Sequence, residues 1–311
     1  MSNLRTFDFS CVPGDKISIT QLLHLFEHAP LLRKIRLYEA LPDFSDVPLG
    51  RMVPLPNLNS LVTRAHQAHT IVTNHLSIPT GATIIQGFDF GDADPQIHIH
   101  LPSTFENFKN LSSITSIDLH FIRSVQVRLT GPYRGLVMRC FWAPGNSIPA
   151  DTHLRVLQSL NLFRISEVEK LTIGRWSHFS SRRGTIEASS HQTFSLVDNL
   201  RVLALKNCVN LPFVIALNPQ KNASRVLICP KLEGLHMDIE REGWLCIREL
   251  LEMAGERALG GAKLKAVTIV CSQGLVPARE LFKLRAHVLH FEYRYGRYDV
   301  SSTVPDNANC G

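Results

Sequence analysis

A recurrence of apolar residues along the chain is the feature that most restricts its fold. In the segment NLRVLALKNCVNLPF, residues 199–213, apolar residues fall at offsets 0, 3, 5, 8 and 11 from Leu200. Offsets 0, 3 and 5 recur from starts at 4, 32, 58, 85 and 114, with Thr63 in place of the third apolar residue in the unit from 58, so that the starts follow one another at a nearly constant interval. They recur again from 168, 200, 232 and 264, with a longer and constant interval, and once more from 288. Such a recurrence is typical of solenoids, in which similar coils stack along one axis.

The offsets themselves indicate what each repeat does. Offsets 3 and 5 have the alternation of a β-strand, so both side chains point to the same face. An Asn or Cys at offset 8, which is Cys208 in this unit, is expected to close the turn after the strand. One coil cannot bury its apolar side alone, so neighbouring coils must stack. The pattern therefore predicts that Leu203, Leu235 and Val267 lie side by side on adjoining parallel strands.

The step from start 114 to start 168 is twice the shorter interval. This step would hold two short units, the one that starts at 114 and one hidden unit after it. Val137, Cys140 and Trp142 have the required spacing and are the candidate for the hidden unit. The chain would then hold ten or eleven units.

Between the strands, three segments have helical patterns: SITQLLHLFEHAP, EGWLCIRELLEMAGERA and VPARELFKLRAHV. In the first, Ser18 or Thr20 can cap the helix and Pro30 ends it. In the third, Pro277 suits the first helical position. The residues expected to be buried are Leu22, Leu23, Leu25 and Phe26 in the first segment, and Ile247, Leu250, Leu251 and Ala254 in the second.

Strands that alternate with helices predict an α/β fold with a parallel sheet. The sequence therefore predicts a leucine-rich-repeat solenoid over residues 1–298, with parallel strands on the concave face and helices on the convex face. Residues 299–311, DVSSTVPDNANCG, are expected to be a disordered tail.

Composition argues against several classes of function. Lys and Arg exceed Asp and Glu by 33 to 27, but the basic residues are scattered, which disfavours nucleic-acid binding. The seven cysteines are widely spaced without a CxxC pair, which indicates reduced thiols in a cytoplasmic or nuclear protein. No apolar run reaches the roughly 18 residues of a membrane span, and the first ten residues lack a secretory signal.

Two histidine pairs could in principle bind zinc. His98 and His100 share one face if their segment is a strand, and His66 and His69 have helical spacing. Neither pair has a Cys or carboxylate partner that completes a site, so a surface role is favoured for both. We therefore predict no metal site.

Two further segments resemble ligand-binding loops. GFDFGDADP, residues 87–95, gathers three aspartates but lacks the spacing and terminal Glu of an EF-hand. GERALGGAK, residues 255–263, lacks the spacing of a P-loop and is interpreted as a helix end followed by a turn. GxSxG and GxGxxG motifs are absent from the sequence. We therefore expect no enzyme activity, no catalytic residues and no cofactor, with WSHFSSRRGTIEASSHQTF, residues 176–194, forming a long polar loop.

The segments LRVLALKNC, CPKLEGLHM and APLLRKIRLYEA resemble the leucine-rich-repeat half of fungal F-box-like proteins, from Leu4 to about Tyr298. In that family an N-terminal F-box binds the Skp1 adaptor of a ubiquitin ligase, and the repeats present a substrate. This chain departs from the family because residues 1–10 already read as a repeat strand. No adaptor-binding residue can be carried over. We therefore expect the chain to be either a fragment or a repeat module that has lost its adaptor domain.

The function expected from these observations is protein–protein recognition, by resemblance the substrate-binding half of an F-box ubiquitin-ligase component. A stand-alone repeat scaffold without a ligase link is the alternative, and an enzyme with a site in a repeat loop comes third. We expect a monomer that binds a protein on the concave face, and a Skp1-type adaptor only if an F-box is missing from this chain. Tyr38 and the arginines are of the types favoured at interface hot spots. The candidate partner-binding residues are Lys34, Arg36, Tyr38, Arg64, Asp118, His120, Lys170, Lys206, His236, Asp238 and Arg294.

Overall fold

Strands and helices that alternate along the chain make up the protein in a computed structural model. The structure describes residues 3–10, 17–38, 50–64, 68–89, 113–121, 124–132, 135–141, 156, 165–174, 190–208, 210–222, 225–239, 243–272, 276 and 278–295. The strands are β1 (Thr6–Ser10), β2 (Lys34–Tyr38), β3 (Val53–Pro54), β4 (Ser60–Arg64), β5 (Leu76–Ser77), β6 (Thr83–Asp89), β7 (Ser116–Phe121), β8 (Ser124–Thr130), β9 (Leu136–Phe141), β10 (Lys170–Gly174), β11 (Val202–Lys206), β12 (Gly234–Ile239), β13 (Ala266–Cys271) and β14 (His290–Tyr295). The helices are α1 (Ile19–Glu27), α2 (Ala68–Asn74), α3 (Leu211–Leu217), α4 (Gly243–Leu259) and α5 (Ala278–His287).

Twelve of these strands form one sheet, in the order β1-β2-β4-β6-β9-β8-β7-β10-β11-β12-β13-β14. Neighbouring strands are parallel except where β8 pairs with β7 and β9, to both of which it is antiparallel. β3 and β5 form a separate parallel pair. The α/β class predicted from the sequence is confirmed, with a sheet that is mostly parallel.

The register of the parallel strands follows the apolar repeat. Leu203 lies opposite Leu235, and Leu235 lies opposite Val267, as the spacing predicts. All three side chains are buried. At the other end of the sheet, Phe7 lies opposite Ile35, and Ile35 lies opposite Leu61. The side-by-side placement of equivalent apolar residues is therefore confirmed for both halves of the sheet.

A hydrogen-bond pattern also repeats at the start of the strands. The carbonyl of Glu169, just before β10, accepts from the N–H groups of Arg201 and Val202. The carbonyl of Arg201 accepts in turn from Glu233 and Gly234, the equivalent pair at the start of the next strand. Arg5 and Arg33 accept from the following strands in the same way. Equivalent residues thus have equivalent backbone partners in both halves of the sheet.

The core lies on one face of the sheet. In β2 and β7 alternate residues are buried, while those between them are partly exposed. Most of the buried apolar side chains, from all five helices and from the strands, belong to a single apolar cluster. The opposite face, which we call the open face, faces away from that cluster.

Local sequence signals set the ends of the helices. Ser18 caps α1 through a capping box, in which its side chain accepts from Gln21 N–H and the Gln21 side chain accepts from Ser18 N–H. At the C-terminal end of α4, Gly261 has φ +77° and Ala262 donates to the carbonyl of Arg257. This Schellman geometry confirms a helix end and turn in GERALGGAK.

The apolar stripes are buried largely as expected. Leu22, Leu23 and Phe26 in α1 are buried, and so are Ile247, Leu250 and Ala254 in α4. Leu25 and Leu251 are partly buried and pack at the edge of the core. The stripes are therefore narrower than the sequence predicts. Residues 190–194, the end of the predicted polar loop, are helical.

The prediction of a hidden unit between starts 114 and 168 is wrong. Residues 124–141 form β8 and β9, which turn back beside β7 and fill the space between β6 and β7. The link from β7 to β8 and the link from β8 to β9 are both only a few residues long. Parallel neighbours need a connection of about a dozen residues or more, so such short links impose antiparallel pairing.

The repeat unit assigned from start 85 has the wrong phase. The structure pairs Leu61 with Ile84 and Thr63 with Gln86, four positions before the Phe88 and Phe90 that the spacing predicts. Ile84 and Gln86 are both fully buried. Because the inward residue Gln86 is polar, the correct unit does not match the apolar pattern.

Several predictions fall on other parts of the chain. The tail at 299–311, His66, His98, His100 and most of the loop at 176–194 lie outside the described residues. Within the described ranges, no helix has the length and apolar character needed to cross a membrane. The four cysteines whose side chains are described, Cys208, Cys229, Cys246 and Cys271, are not joined in disulfides.

Candidate functional site: the open face of the sheet

The strand register places the open-face residues in rows that run across the sheet. One row runs Asp8, Arg36, Val62, Ile85, Val137, Arg128, Asp118, Thr172, Ala204, His236, Thr268 and Glu292. The next row runs Ser10, Tyr38, Arg64, Gly87, Arg139, Gln126, His120, Gly174 and Lys206. The rows carry charges of both signs, from Asp8 and Arg36 to Asp118 and Glu292, whereas Thr172 and Ala204 between them are buried.

All eleven predicted partner-binding residues lie on strands of this sheet, but the structure does not gather them into one patch. A first group is on the neighbouring strands β2 and β4, and we call it the basic zone: Lys34, Arg36, Tyr38 and Arg64. The second group spreads over β7, β10, β11, β12 and β14: Asp118, His120, Lys170, Lys206, His236, Asp238 and Arg294. Three strands, β6, β9 and β8, separate the two groups.

On β2 the basic zone is accessible, and Arg36 is only weakly paired. Arg36 Nη1 lies 3.2 Å from Asp8 Oδ2, in an ion pair whose side chains are 34% and 50% exposed. Ion pairs this exposed contribute little to stability, so a partner can replace Asp8 at low cost. Lys34 and Tyr38 are partly exposed on either side of Arg36 on the same strand. The zone therefore presents cationic and aromatic groups to solvent.

Asp238 is buried, whereas the sequence predicts an outward, partner-binding position for it. Its side chain is 3% exposed, and Oδ1 lies 3.0 Å from His236 Nε2. The last three residues of β12 are all buried, so the alternation that predicts an outward Asp238 fails at this end of the strand. His236 remains 29% exposed. The buried carboxylate orients the imidazole on the open face.

The turn after β11 is closed by a residue that the sequence reasoning missed. Cys208 Sγ donates to Asn210 Oδ1 at 3.3 Å, as its place in the repeat leads us to expect of a turn residue. Asn210 Nδ2 in turn donates to the carbonyl of Asp238 at 2.7 Å, and so connects this repeat unit to the next strand. In the leucine-rich-repeat pattern the Asn or Cys stands at the position of Cys208, two positions before Asn210. The turn residue that makes the connection is therefore Asn210, two positions after the expected Cys208.

His120 lies over the neighbouring strand. A Cβ built on Gly174, its register partner, would be 2.7 Å from His120 Nδ1. A residue with a side chain at 174 would therefore displace the imidazole. His120 is partly exposed, and its place on the open face depends on this glycine.

The helix side of the molecule has an open groove of about 460 Å³ between α4 and α5. Its floor is apolar, from Ile247 and Leu251, and its rim carries five charged residues: Arg248, Glu252, Arg279, Glu280 and Lys283. These rim charges pair with one another in part, since Lys283 contacts Glu280 and Arg248 contacts Glu252. On β2, the described part of the basic zone, Arg36 pairs with Asp8.

The fold and its open face define an α/β protein built on a long, mostly parallel sheet whose core lies on one face. Comparisons of the chain with protein-family models, with curated proteins and with solved structures gave no significant match. Its function is therefore argued from its own residues.

Proposed function

We propose that the chain is a leucine-rich-repeat solenoid that binds a partner protein on its open face, which is the concave face. The single observation that carries this proposal is the one-sided core of a long parallel sheet. Parallel sheets in other α/β folds are covered by helices on both faces, whereas in stacked coils the strands face solvent on one side. The constant sequence spacing from Val202 to Gly234 and from Gly234 to Ala266, which are register partners on successive strands, supports the same architecture.

The charges on the open face favour a protein partner. The basic zone combines Arg and Tyr, which are enriched at the centres of protein interfaces. Its ion pair with Asp8 is exposed and easily exchanged, so an acidic segment of a partner fits there. Towards the other end, Asp118 and His236 provide hydrogen-bonding groups of different charge. The surface is therefore suited to a polypeptide that lies across several strands.

The proposed function is tested by paired capture experiments with the full chain. The double variant Arg36→Ala/Tyr38→Ala removes the centre of the basic zone. The matched control Lys283→Ala/Arg285→Ala removes exposed charges from α5 on the helix side. Cellular proteins captured by the wild type should be lost from the first variant and retained by the control. Equal capture by both variants would contradict binding on the open face.

By its resemblance to fungal F-box-like proteins, the chain would act as the substrate-binding half of a ubiquitin-ligase component in the cytoplasm or nucleus. A stand-alone scaffold is the second candidate. A binding measurement between a purified Skp1-type adaptor and residues 1–311 separates adaptor binding from substrate binding. We expect no stable complex, because the described strands carry no segment that we can assign to the adaptor. Robust binding would show that the repeats themselves contact the adaptor.

A further inference from the structure

The end of α1 brings three metal-ligating side chains together. In the segment HLFEH, the residues His24, Glu27 and His28 are spaced so that all three lie on one side of the last helical turn. Their ligand atoms lie within 4.8 Å of one another, and all three residues are exposed. The two imidazole rings have centroids 4.2 Å apart. Ligands about 2.0 Å from a tetrahedral zinc ion are roughly 3.3 Å apart, so small side-chain rotations suffice to bind one.

A hydrogen bond fixes which nitrogen of His28 can bind a metal. His28 Nδ1 lies 2.9 Å from the backbone carbonyl oxygen of His24. A carbonyl can only accept, so Nδ1 carries the proton and Nε2 of the neutral ring has the free lone pair. Metal-ligating histidines typically donate their other ring nitrogen to a carbonyl or carboxylate in this way. His28 is therefore already in the tautomer and orientation that a metal site needs.

The third ligand is also held in place. Glu27 accepts two hydrogen bonds from Arg51, from Nε at 2.9 Å and from Nη2 at 2.6 Å. Each carboxylate oxygen keeps a further lone pair. The partial negative charge at the C-terminal end of α1 also favours a cation at this position.

We propose that His24, Glu27 and His28 form a binding site for a divalent transition ion of the zinc class. Two imidazoles and one carboxylate suit Zn²⁺, Ni²⁺ or Co²⁺, whereas Mg²⁺ and Ca²⁺ prefer oxygen ligands throughout. Three protein ligands leave one coordination position for water or for a side chain of a bound protein. The site lies on α1, on the core side of the sheet, and is therefore separate from the open face.

The test is titration of the full chain with Zn²⁺ by calorimetry and with Co²⁺ by visible absorption. The wild type should show one binding event that His24→Gln and His28→Gln each weaken about tenfold or more. Glu27→Gln should weaken it by a smaller factor. The matched control His290→Gln changes an exposed histidine on β14 and should leave the event unchanged.

A second measurement uses the wild type alone and does not depend on how the variants fold. Zn²⁺ should protect His24 and His28 from acylation by diethyl pyrocarbonate, read by mass spectrometry, while His290 should react at the same rate with and without the ion. Absence of the binding event in the wild type, or an event that both His24→Gln and His28→Gln leave intact, would overturn the proposal. Equal acylation of the two histidines with and without Zn²⁺ would also overturn it.

Discussion

Two regions of the sheet differ in how closely they follow the sequence repeat. In the region from β10 to β14 all neighbours are parallel, and from β11 to β13 the register partners are separated by the same number of positions along the chain. In the region from β6 to β9, the chain first forms β7 two strand positions away from β6. It then returns through the antiparallel strand β8 and through β9, which fill those two positions. Both regions bury apolar residues on the same face. The periodic region is organised by its repeat, and the middle region by short connections.

The difference shows what each region needs to stay folded. The periodic region depends on contacts between consecutive repeat units, such as those made by the helices α3, α4 and α5. The middle region depends on the close approach of the backbones of β8 and β9 at their hairpin. Substitutions that disturb one kind of contact should therefore have different effects from those that disturb the other.

The largest effect is expected from Arg257→Ala in the periodic region. Arg257 is fully buried, and it donates to the carbonyls of Ile228 and Cys229 at 2.8 and 2.7 Å. Its loss leaves two buried acceptors unpaired and a cavity, so the free energy of unfolding in urea should fall by about 4 kcal/mol. The exposed control Arg285→Ala should change it by less than about 0.5 kcal/mol.

The same substitution has a chemical readout. Burial raises the pKa of Cys229 to about 12, so the native thiol should resist alkylation under mildly alkaline conditions. In Arg257→Ala, Cys229 should become reactive because the loop that contains it is released. An Arg257→Ala protein as stable as the wild type, with Cys229 still protected, would contradict the assigned role of Arg257.

The middle region is tested by Gly135→Ala. A Cβ on Gly135 would lie 1.9 Å from the carbonyl oxygen of Leu129, so the hairpin backbone must move. We expect a loss of about 3 kcal/mol in unfolding free energy. Gly81→Ala is the matched control, because a Cβ there meets no atom within 4 Å. Equal effects at the two glycines would show that the hairpin is not packed as described.

A smaller effect is expected at the N-terminal end, where the units are shorter. Ser18→Ala removes the side chain that caps α1 and should cost about 1 kcal/mol. Ser166→Ala, at an exposed position, is the control. Urea denaturation measures both variants. No difference between them would mean that the capping box does not stabilise α1.

The smallest effect concerns the charges that join α4 to the preceding loop. Hydrogen bonding from Lys221 is the largest cause that lowers the pKa of Glu252 from its ordinary value of 4.5. Because the folded pKa is the lower one, this contribution is present above pH 4.5 and is lost as the pH falls below it. Glu252→Gln should cost about 0.5 kcal/mol at neutral pH and nothing once the carboxyl is protonated in acid. A cost that stays constant between neutral and acidic pH would contradict the ion pair.

The sequence predicts the periodic region well because each inward position is apolar and each unit has the same length. Leu203, Leu235 and Val267 fall where the spacing places them. The prediction fails at Gln86, where a buried polar residue breaks the apolar pattern. It also fails at β8 and β9, since connection length, which decides between parallel and antiparallel pairing, is not part of the repeat.

The open-face site is predicted in part from the sequence, whereas the metal site proposed at the end of α1 is not. Strand alternation places Arg36, Tyr38 and His236 on the open face, with Asp238 as the exception. The pairing of Glu27 with Arg51 joins two segments that are distant along the chain, and no local spacing reveals it. Long-range pairs of this kind become visible only in the folded chain.

The proposed stacking of interchangeable repeat units is tested most directly by removing one of them. Deletion of residues 170–201, one full repeat, joins Glu169 to Val202, whose backbone N–H already bonds the Glu169 carbonyl. We predict that this variant still unfolds cooperatively in urea, at a lower midpoint, because each unit contacts only its neighbours. Deletion of residues 170–198 instead shifts the register by three positions and should abolish the folded state. Loss of cooperative unfolding in both variants would contradict the stacking of interchangeable units.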